Sequence, residues 1–290
     1  MTEHLIGRGP QCALRLTAGY VSTQHALIRW DGFGWELLDR GSRNGTQLNG
    51  VPAEPGRAYR LKKDAVVTFG HADERWTLID AGEPQTMAVA LDTGQALLGT
   101  QGLIGLPSTN SPECTLYLDH DNTWKLEQTN GELETVVDGQ IVECAGRMFR
   151  FCCPSSNSAT ETLSVARDAG EPTLCFTVSS DEDFVELALE YAERRVALGS
   201  RSHNYLMLTL ARQWLTDRAA NLQEASCGWM DKDELADGFK MTPQQVDGEV
   251  FRIRKHFTQH GLPESTTIIE RRPRTKQIRL GLKKLRIDRA

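Results

Sequence analysis

Hydrophobic and polar positions divide the chain into stretches with different periods. Over residues 1–84 the apolar positions fall in short runs: Leu5-Ile6, Ala13–Leu16, His25–Trp30, Trp35–Leu38 and Val66–Phe69. Each reads as a strand bounded by turn residues, with Asp31-Gly32 and Asn49-Gly50 as hairpin-type turns. Short strands with no long helical period predict a β-sandwich. The rhythm then repeats. A gap-free shift of 89 residues lays Ser22–Gly50 on Ser111–Gly139, matching Trp35 to Trp124, Thr46 to Thr135 and Asn49-Gly50 to Asp138-Gly139. Residues 88–155 therefore read as a second, trimmed β domain built like the first.

The polar stretch from Pro154 to Pro172 reads as a linker, placed at 156–172, and beyond it the period changes. Thr173–Val178, Val185–Leu189 and Arg195–Leu198 predict short strands. Tyr205-Leu206, Leu208, Leu210-Ala211 and Trp214-Leu215 give a helical period over about 202–220. Asp231 with Glu234 has capping-box spacing and opens a short helix to about Gly238. Thr242-Pro243 opens the next, with threonine as cap and proline at the first helical position, running to about His260 and stopping at Gly261. Thr266–Glu270 and Gln277–Leu282 then flank a basic turn, Arg271 to Lys276. The expected class is multidomain, mainly β and then α+β, with domains at 1–84, 88–155 and 173–290.

Charge changes this picture in one place. The chain of 290 residues has a formal net charge of −6. From Lys240 onward, however, thirteen Lys or Arg face five Asp or Glu, a local excess of eight, which leaves −14 for the rest. A basic end on an acidic body fits nucleic-acid binding. Seven scattered cysteines argue against a disulfide framework, and none stands at zinc-ligand spacing. No apolar run is long enough to span a membrane, and the start Met1-Thr2-Glu3-His4 lacks the form of a signal peptide. A cytoplasmic protein without metal or cofactor is the expectation.

The chemistry in the first β domain concerns phosphate. Arg8, after the first strand, offers a guanidinium able to pair with an oxyanion through two N–H groups. Ser22, at a loop tip, has a hydroxyl donor, and Asn44 has an amide that both donates and accepts. Together Gly7-Arg8, Ser22-Thr23-Gln24-His25 and Ser42-Arg43-Asn44-Gly45-Thr46 resemble, in order and spacing, the forkhead-associated (FHA) domain, a β-sandwich that reads phosphothreonine. The resemblance covers residues 5–80. It implies that Arg8 and Ser22 contact phosphate and Asn44 holds the peptide backbone, while Thr23 contributes through its own backbone. His25 is then architectural, Gly7, Ser42, Gly45 and Thr46 shape the loops, and Arg43 is either a second phosphate cation or a surface arginine. Thr23 departs from the Arg or Asn frequent there in the family.

Upstream of the gap-free stretch, Leu5-Ile6-Gly7-Arg8 has a counterpart in Leu103-Ile104-Gly105-Leu106, with the intervening segment nine residues shorter, so Leu106 stands where Arg8 does; within the stretch Cys114 stands for His25 and Leu133 for Asn44. This second domain reads as a degenerate FHA-like domain without a phosphate site, or as an unrelated small β domain. The order of elements over 173–287 resembles an OmpR-type winged helix. That resemblance implies DNA contacts from Gln244, Gln245, Arg252 and His256 on the recognition helix and from Arg272, Arg274 and Lys276 on the wing. Winged helices also bind proteins, and Asp247 and Glu249 bring negative charge to the same helix. The chain carries no P-loop, GxSxG, HExxH or kinase signature. The expectation is thus a binding protein rather than an enzyme. Its partners would be a phosphothreonine-bearing protein and double-stranded DNA, the alternative being a phospho-dependent scaffold whose winged helix grips a protein.

Overall fold

The computed structural model describes residues 2–119, 121–154 and 171–290; His120 and most of the expected linker, 155–170, lie outside the described residues. The described chain forms two compact units. The first runs to Thr86 and takes in the segment from Cys152, and the second joins Met87–Phe151 to the chain beyond the linker. No helix among the described residues is long and apolar enough to cross a membrane.

The first unit is built from β1 (Glu3–Gly7), β2 (Leu14–Arg15), β3 (Ala26–Trp30), β4 (Trp35–Asp39), β5 (Thr46–Leu48), β6 (Val51–Pro52), β7 (Ala58–Arg60), β8 (Val66–Phe69) and β9 (Arg75–Thr77). They make two sheets, ordered β2-β1-β3-β4-β7 and β6-β5-β8-β9. One core holds them together. Ile6, Ala26 and Leu37 from one sheet meet Val67 and Phe69 from the other, and full burial of an Ile, Leu or Phe side chain contributes about 1.5–3 kcal/mol. Alternation on β8 is clean, with Val67 and Phe69 inward. Asn49 and Gly50, both at positive φ, close the β5–β6 hairpin with only two residues, the geometry that Asn-Gly favours. The turn at Asp31 is longer: its carboxylate accepts from the N–H groups of Phe33 and Gly34 at 2.9 Å each.

The strands of the second unit's first part are β10 (Met87–Ala90), β11 (Ala96–Leu98), β12 (Leu103–Leu106), β13 (Cys114–Leu118), β14 (Trp124–Gln128), β15 (Leu133–Val136), β16 (Ile141–Cys144) and β17 (Arg147–Cys152), the last ending at the boundary with the first unit. Their sheets are β12-β13-β14-β15 and β11-β10-β17-β16. Under the 89-residue shift β4 falls on β14 end to end. The edges differ, because β4 pairs with β7 whereas β14 pairs with β15. Cys114 and Cys144 are joined as a disulfide between the two sheets. The scattered spacing hid this bridge, since a pairing across a sandwich depends on sheet register and not on local sequence.

The C-terminal part runs β18 (Thr173–Val178), β19 (Val185–Glu190), β20 (Arg195–Ser200), α1 (Asn204–Ala219), β21 (Met230–Asp231), α2 (Lys232–Phe239), α3 (Pro243–Gln259), β22 (Ile269–Arg271), β23 (Gln277–Leu280) and β24 (Leu285–Arg289). Asp231 caps α2 by accepting from Asp233 N, and Thr242 with Gln245 forms a capping box on α3 with Pro243 in the first turn. Val246, Val250, Ile253 and Phe257 of α3 lie at helical spacing in one core with Leu206, Leu210, Leu174 and Phe176. β24, a charged strand that the hydropathy pattern did not reveal, pairs parallel with β18 and completes the sheet β20-β19-β18-β24.

Candidate functional site

At one end of the first unit, backbone hydrogen bonds fasten three loops together. Arg8 N donates to Ser22 O and Gly9 N to Thr23 O, each at 2.9 Å. This lays the loop after β1 along the loop before β3. Gly7 permits the approach: a Cβ there would stand 2.6 Å from Thr23 O and 2.8 Å from Ser22 O. Thr23 is exposed, and its carbonyl also accepts from Cys12 Sγ at 3.3 Å.

His25 ties this pair of loops to the third. Its ring is fully buried, edge-on to Phe69. Nδ1 accepts from Ser22 N at 3.1 Å, so the proton sits on Nε2, which donates to Gly45 O at 3.1 Å. Burial pushes the imidazole pKa down; the Gly45 carbonyl and Asp39 act the other way without reversing it. The neutral ring is the one the loops require.

The loop from Arg40 to Gly45 is organised by a residue the motif did not single out. Asp39 closes β4 with its side chain buried. It accepts from Gly41 N at 2.8 Å, Ser42 N at 2.9 Å, Ser42 Oγ at 2.6 Å and Thr46 Oγ1 at 2.5 Å. Burial raises its carboxyl pKa, and these four donors outweigh that, leaving it below 3.8. The signal in the sequence is Asp39 two residues ahead of Gly41-Ser42, the spacing of an Asx turn.

The same loops present the predicted contacts. Ser22 Oγ accepts from Arg43 N at 3.1 Å, so its own proton is left to donate outward. Asn44 Nδ2 donates to Tyr20 O at 2.8 Å, which leaves Oδ1 to accept from an arriving N–H. Arg8, Arg43 and Asn44 are exposed. Arg8 Nε reaches Val21 O at 3.4 Å, and among the described residues no carboxylate pairs with Arg8 or Arg43. Two uncompensated guanidinium groups, a hydroxyl donor and an amide therefore share one loop cluster, an arrangement suited to a phosphorylated peptide. Beside Asn44 lies an open groove of about 510 Å³, lined in part by Gly45, Gln47, Thr68, Gly70 and Arg75.

Residues 4–70 match the family model described as FHA domain. The N-terminal domain is an FHA domain. It is similar to the FHA domain-containing protein FhaA of Mycobacterium tuberculosis, 37% identical over 71 residues, which are 24% of this chain and 13% of FhaA. The chain therefore spans a small fraction of that relative's length. Among solved structures it resembles the FhaA FHA domain complexed with the intracellular domain of Rv3910, with 37% identity, 24% of this chain and 74% of that chain covered, and a TM-score of 0.22. It also resembles the N-terminal FHA domain of Rad53p from S. cerevisiae in complex with a phosphothreonine peptide, with 27% identity, 25% and 61% covered, and a TM-score of 0.23.

The matched positions in the second unit carry none of this chemistry. Leu106 is fully buried where the FHA domain has Arg8, Cys114 is bridged to Cys144 where it has His25, and Leu133 is exposed where it has Asn44.

The expected DNA contacts are scattered. Gln244 and Gln245 are exposed at the start of α3, but Gln245 Oε1 is held by Thr242 N at 2.7 Å. Arg252 is exposed and paired with Glu249. His256 was expected among residues facing DNA and instead is buried, with Nδ1 3.1 Å from Nε2 of His203; the start of α1 packs over that face of the helix. Burial and the neighbouring His256 push the His203 imidazole pKa down to about 4. Arg272 bonds Gln277 and lies 5.1 Å over the Trp229 ring, Arg274 pairs with Glu132, and Lys276 pairs with Asp233. Charge counting overstated the basic end. Of its thirteen Lys or Arg, eight (252, 254, 271, 274, 276, 279, 283 and 286) are in ion pairs.

Proposed function

We propose that the protein is a phosphothreonine-dependent binding protein. In this reading the FHA domain docks on a phosphothreonine placed by a Ser/Thr kinase, with Arg8, Ser22 and Arg43 on the phosphate and Thr23 and Asn44 on the peptide. The observation that carries it is the loop cluster in which, among the described residues, Arg8 and Arg43 stand without carboxylate partners around the outward hydroxyl of Ser22. The relative of this domain bound to a phosphothreonine peptide is in keeping with it.

The output is proposed to lie in the C-terminal part, an OmpR-type winged helix with α3 as recognition helix and the β22–β23 hairpin as wing. That module would make the protein a transcription regulator on double-stranded DNA, and residues 88–155 a degenerate FHA-like domain without a site. A second reading, a phospho-dependent scaffold whose winged helix engages protein, is favoured by the burial of Asp247, Phe251, Arg254 and His256 on α3.

The test of the input is a titration of the full chain with phosphothreonine peptides and their unphosphorylated twins. Arg8→Ala removes hydrogen bonds to a charged group worth about 1.5–3 kcal/mol, so affinity falls by roughly ten- to 150-fold. Equal binding by the Arg8→Ala chain, or binding indifferent to the phosphate, overturns the reading.

A further inference from the structure

Where α3 and the β22–β23 hairpin meet residues 103–136, the C-terminal part concentrates positive charge. Lys232, Arg254 and Arg271 converge with one carboxylate from the same part, Asp247. Asp247 takes Lys232 Nζ at 2.8 Å and Arg271 Nη1 at 2.7 Å, all three side chains being nearly fully buried. The missing anion comes from β14. Glu127 accepts from Arg254 Nη1 at 2.6 Å and Nη2 at 3.1 Å, and from Arg271 Nε at 3.1 Å. Without Glu127 the cluster is three cations against one carboxylate.

Close packing seals the contact. Phe251 of α3 clusters with Leu103 and Tyr117, and the Arg254 guanidinium lies 5.5 Å over the Tyr117 ring. A Cβ on Gly105 would stand 3.1 Å from the Phe251 ring, and one on Gly131, at φ +76, 3.0 Å from Arg271 Cβ and from the Arg272 backbone. Of α3 only a narrow stripe through Gln245, Arg252 and Gln259 remains exposed beside Gln244. A helix covered in this way cannot lie in a major groove.

We propose that the sheet β12-β13-β14-β15 forms a built-in cap over a basic face of Lys232, Arg254 and Arg271, and that Glu127 stands there in place of a backbone phosphate of double-stranded DNA. A carboxylate taking both N–H groups of one arginine and one of a second makes the contacts a phosphate oxyanion would make. The proposal rests on the DNA-binding reading of the C-terminal part and is independent of phosphopeptide recognition.

The experiment uses the full chain and a fluorescein-labelled mixed-sequence duplex, followed by anisotropy from low to moderate salt. Glu127→Arg, which repels the two arginines and lifts the cap, binds the duplex at least about tenfold more tightly than wild type. Its log–log salt slope is steeper by about 1.8, for two further phosphate contacts. Glu127→Gln, which keeps the shape and loses the charge, moves the same way by less, and adding Arg254→Gln to Glu127→Arg removes part of the gain. Circular dichroism and a phosphothreonine-peptide titration on each protein report that the fold and the FHA domain are intact. Folded Glu127→Arg and Glu127→Gln chains that bind the duplex no more tightly than wild type overturn the cap. Wild type already binding with the steep slope, and unaffected by Arg254→Gln, also overturns it while leaving DNA binding in place.

Discussion

Asp39 makes a demanding prediction, because it is buried away from the surface of the loops and yet holds in place the loop that carries Arg43 and Asn44. Replacing it with alanine strands four donors, two backbone N–H groups and the hydroxyls of Ser42 and Thr46. The hydroxyls can rotate to other acceptors, whereas the two N–H groups are fixed. Counting only those, at about 1.5 kcal/mol for a hydrogen bond to a charged group, the loss is about 3 kcal/mol; the full set would approach twice that were the bonds additive, which neighbours sharing one acceptor are not. Asp39→Asn keeps an oxygen for the N–H groups and offers an amide to hydroxyls that can turn to accept, so about 1–2 kcal/mol is expected. The readouts are hydrogen exchange of the β5 and β8 amides in the full chain and anisotropy with a phosphothreonine peptide. Stability and affinity should fall in the order Asp, Asn, Ala, since a loosened loop must be ordered again on binding. An Asp39→Ala chain with wild-type exchange and peptide affinity within twofold refutes the reasoning.

Two further outcomes follow from the same loops. His25 is held neutral, its pKa lowered chiefly by burial; the unfolded chain therefore binds the extra proton first, and stability of the FHA domain is fully present above about pH 6.5 and declines as pH falls below it. Exchange of the same amides between pH 7 and 5 should show that decline in wild type and not in a His25→Gln variant. Gly7→Ala drives a methyl group into the Ser22 and Thr23 carbonyls, at a cost of about 1–3 kcal/mol, and displaces the Ser22 hydroxyl. Peptide affinity should drop at least about tenfold while circular dichroism stays unchanged, and an unaltered affinity would show that the loop tolerates the shift.

Much of the candidate site was legible from local pattern. Arg8, Ser22 and Asn44 sit on loops whose turns are written in neighbouring residues, so motifs that resemble the FHA domain in order and spacing brought them to one loop cluster; the Asn49-Gly50 hairpin and the Thr242-Gln245 cap are equally local. Asp39 escaped because its partners, although close in sequence, matter only once the side chain is buried. The C-terminal charges escaped for a different reason. Glu127 lies 127 residues from Arg254 and 144 from Arg271, and no local period encodes a pairing across that distance. The charged strand β24 likewise became a strand only through its parallel pairing with β18.

The sequence by itself determined which side chains have the chemistry for a phosphate, because cation, hydroxyl and amide stand on loops that short-range turn chemistry defines. Tertiary structure alone decided which cations remain available to a ligand. Among the described residues Arg8 and Arg43 are left without carboxylates, whereas Arg254, Arg271 and Lys232 are neutralised out of solvent by Glu127 and Asp247. Charge is a property of composition, but its availability depends on which opposite charge the fold brings within hydrogen-bonding reach and how much water it excludes there.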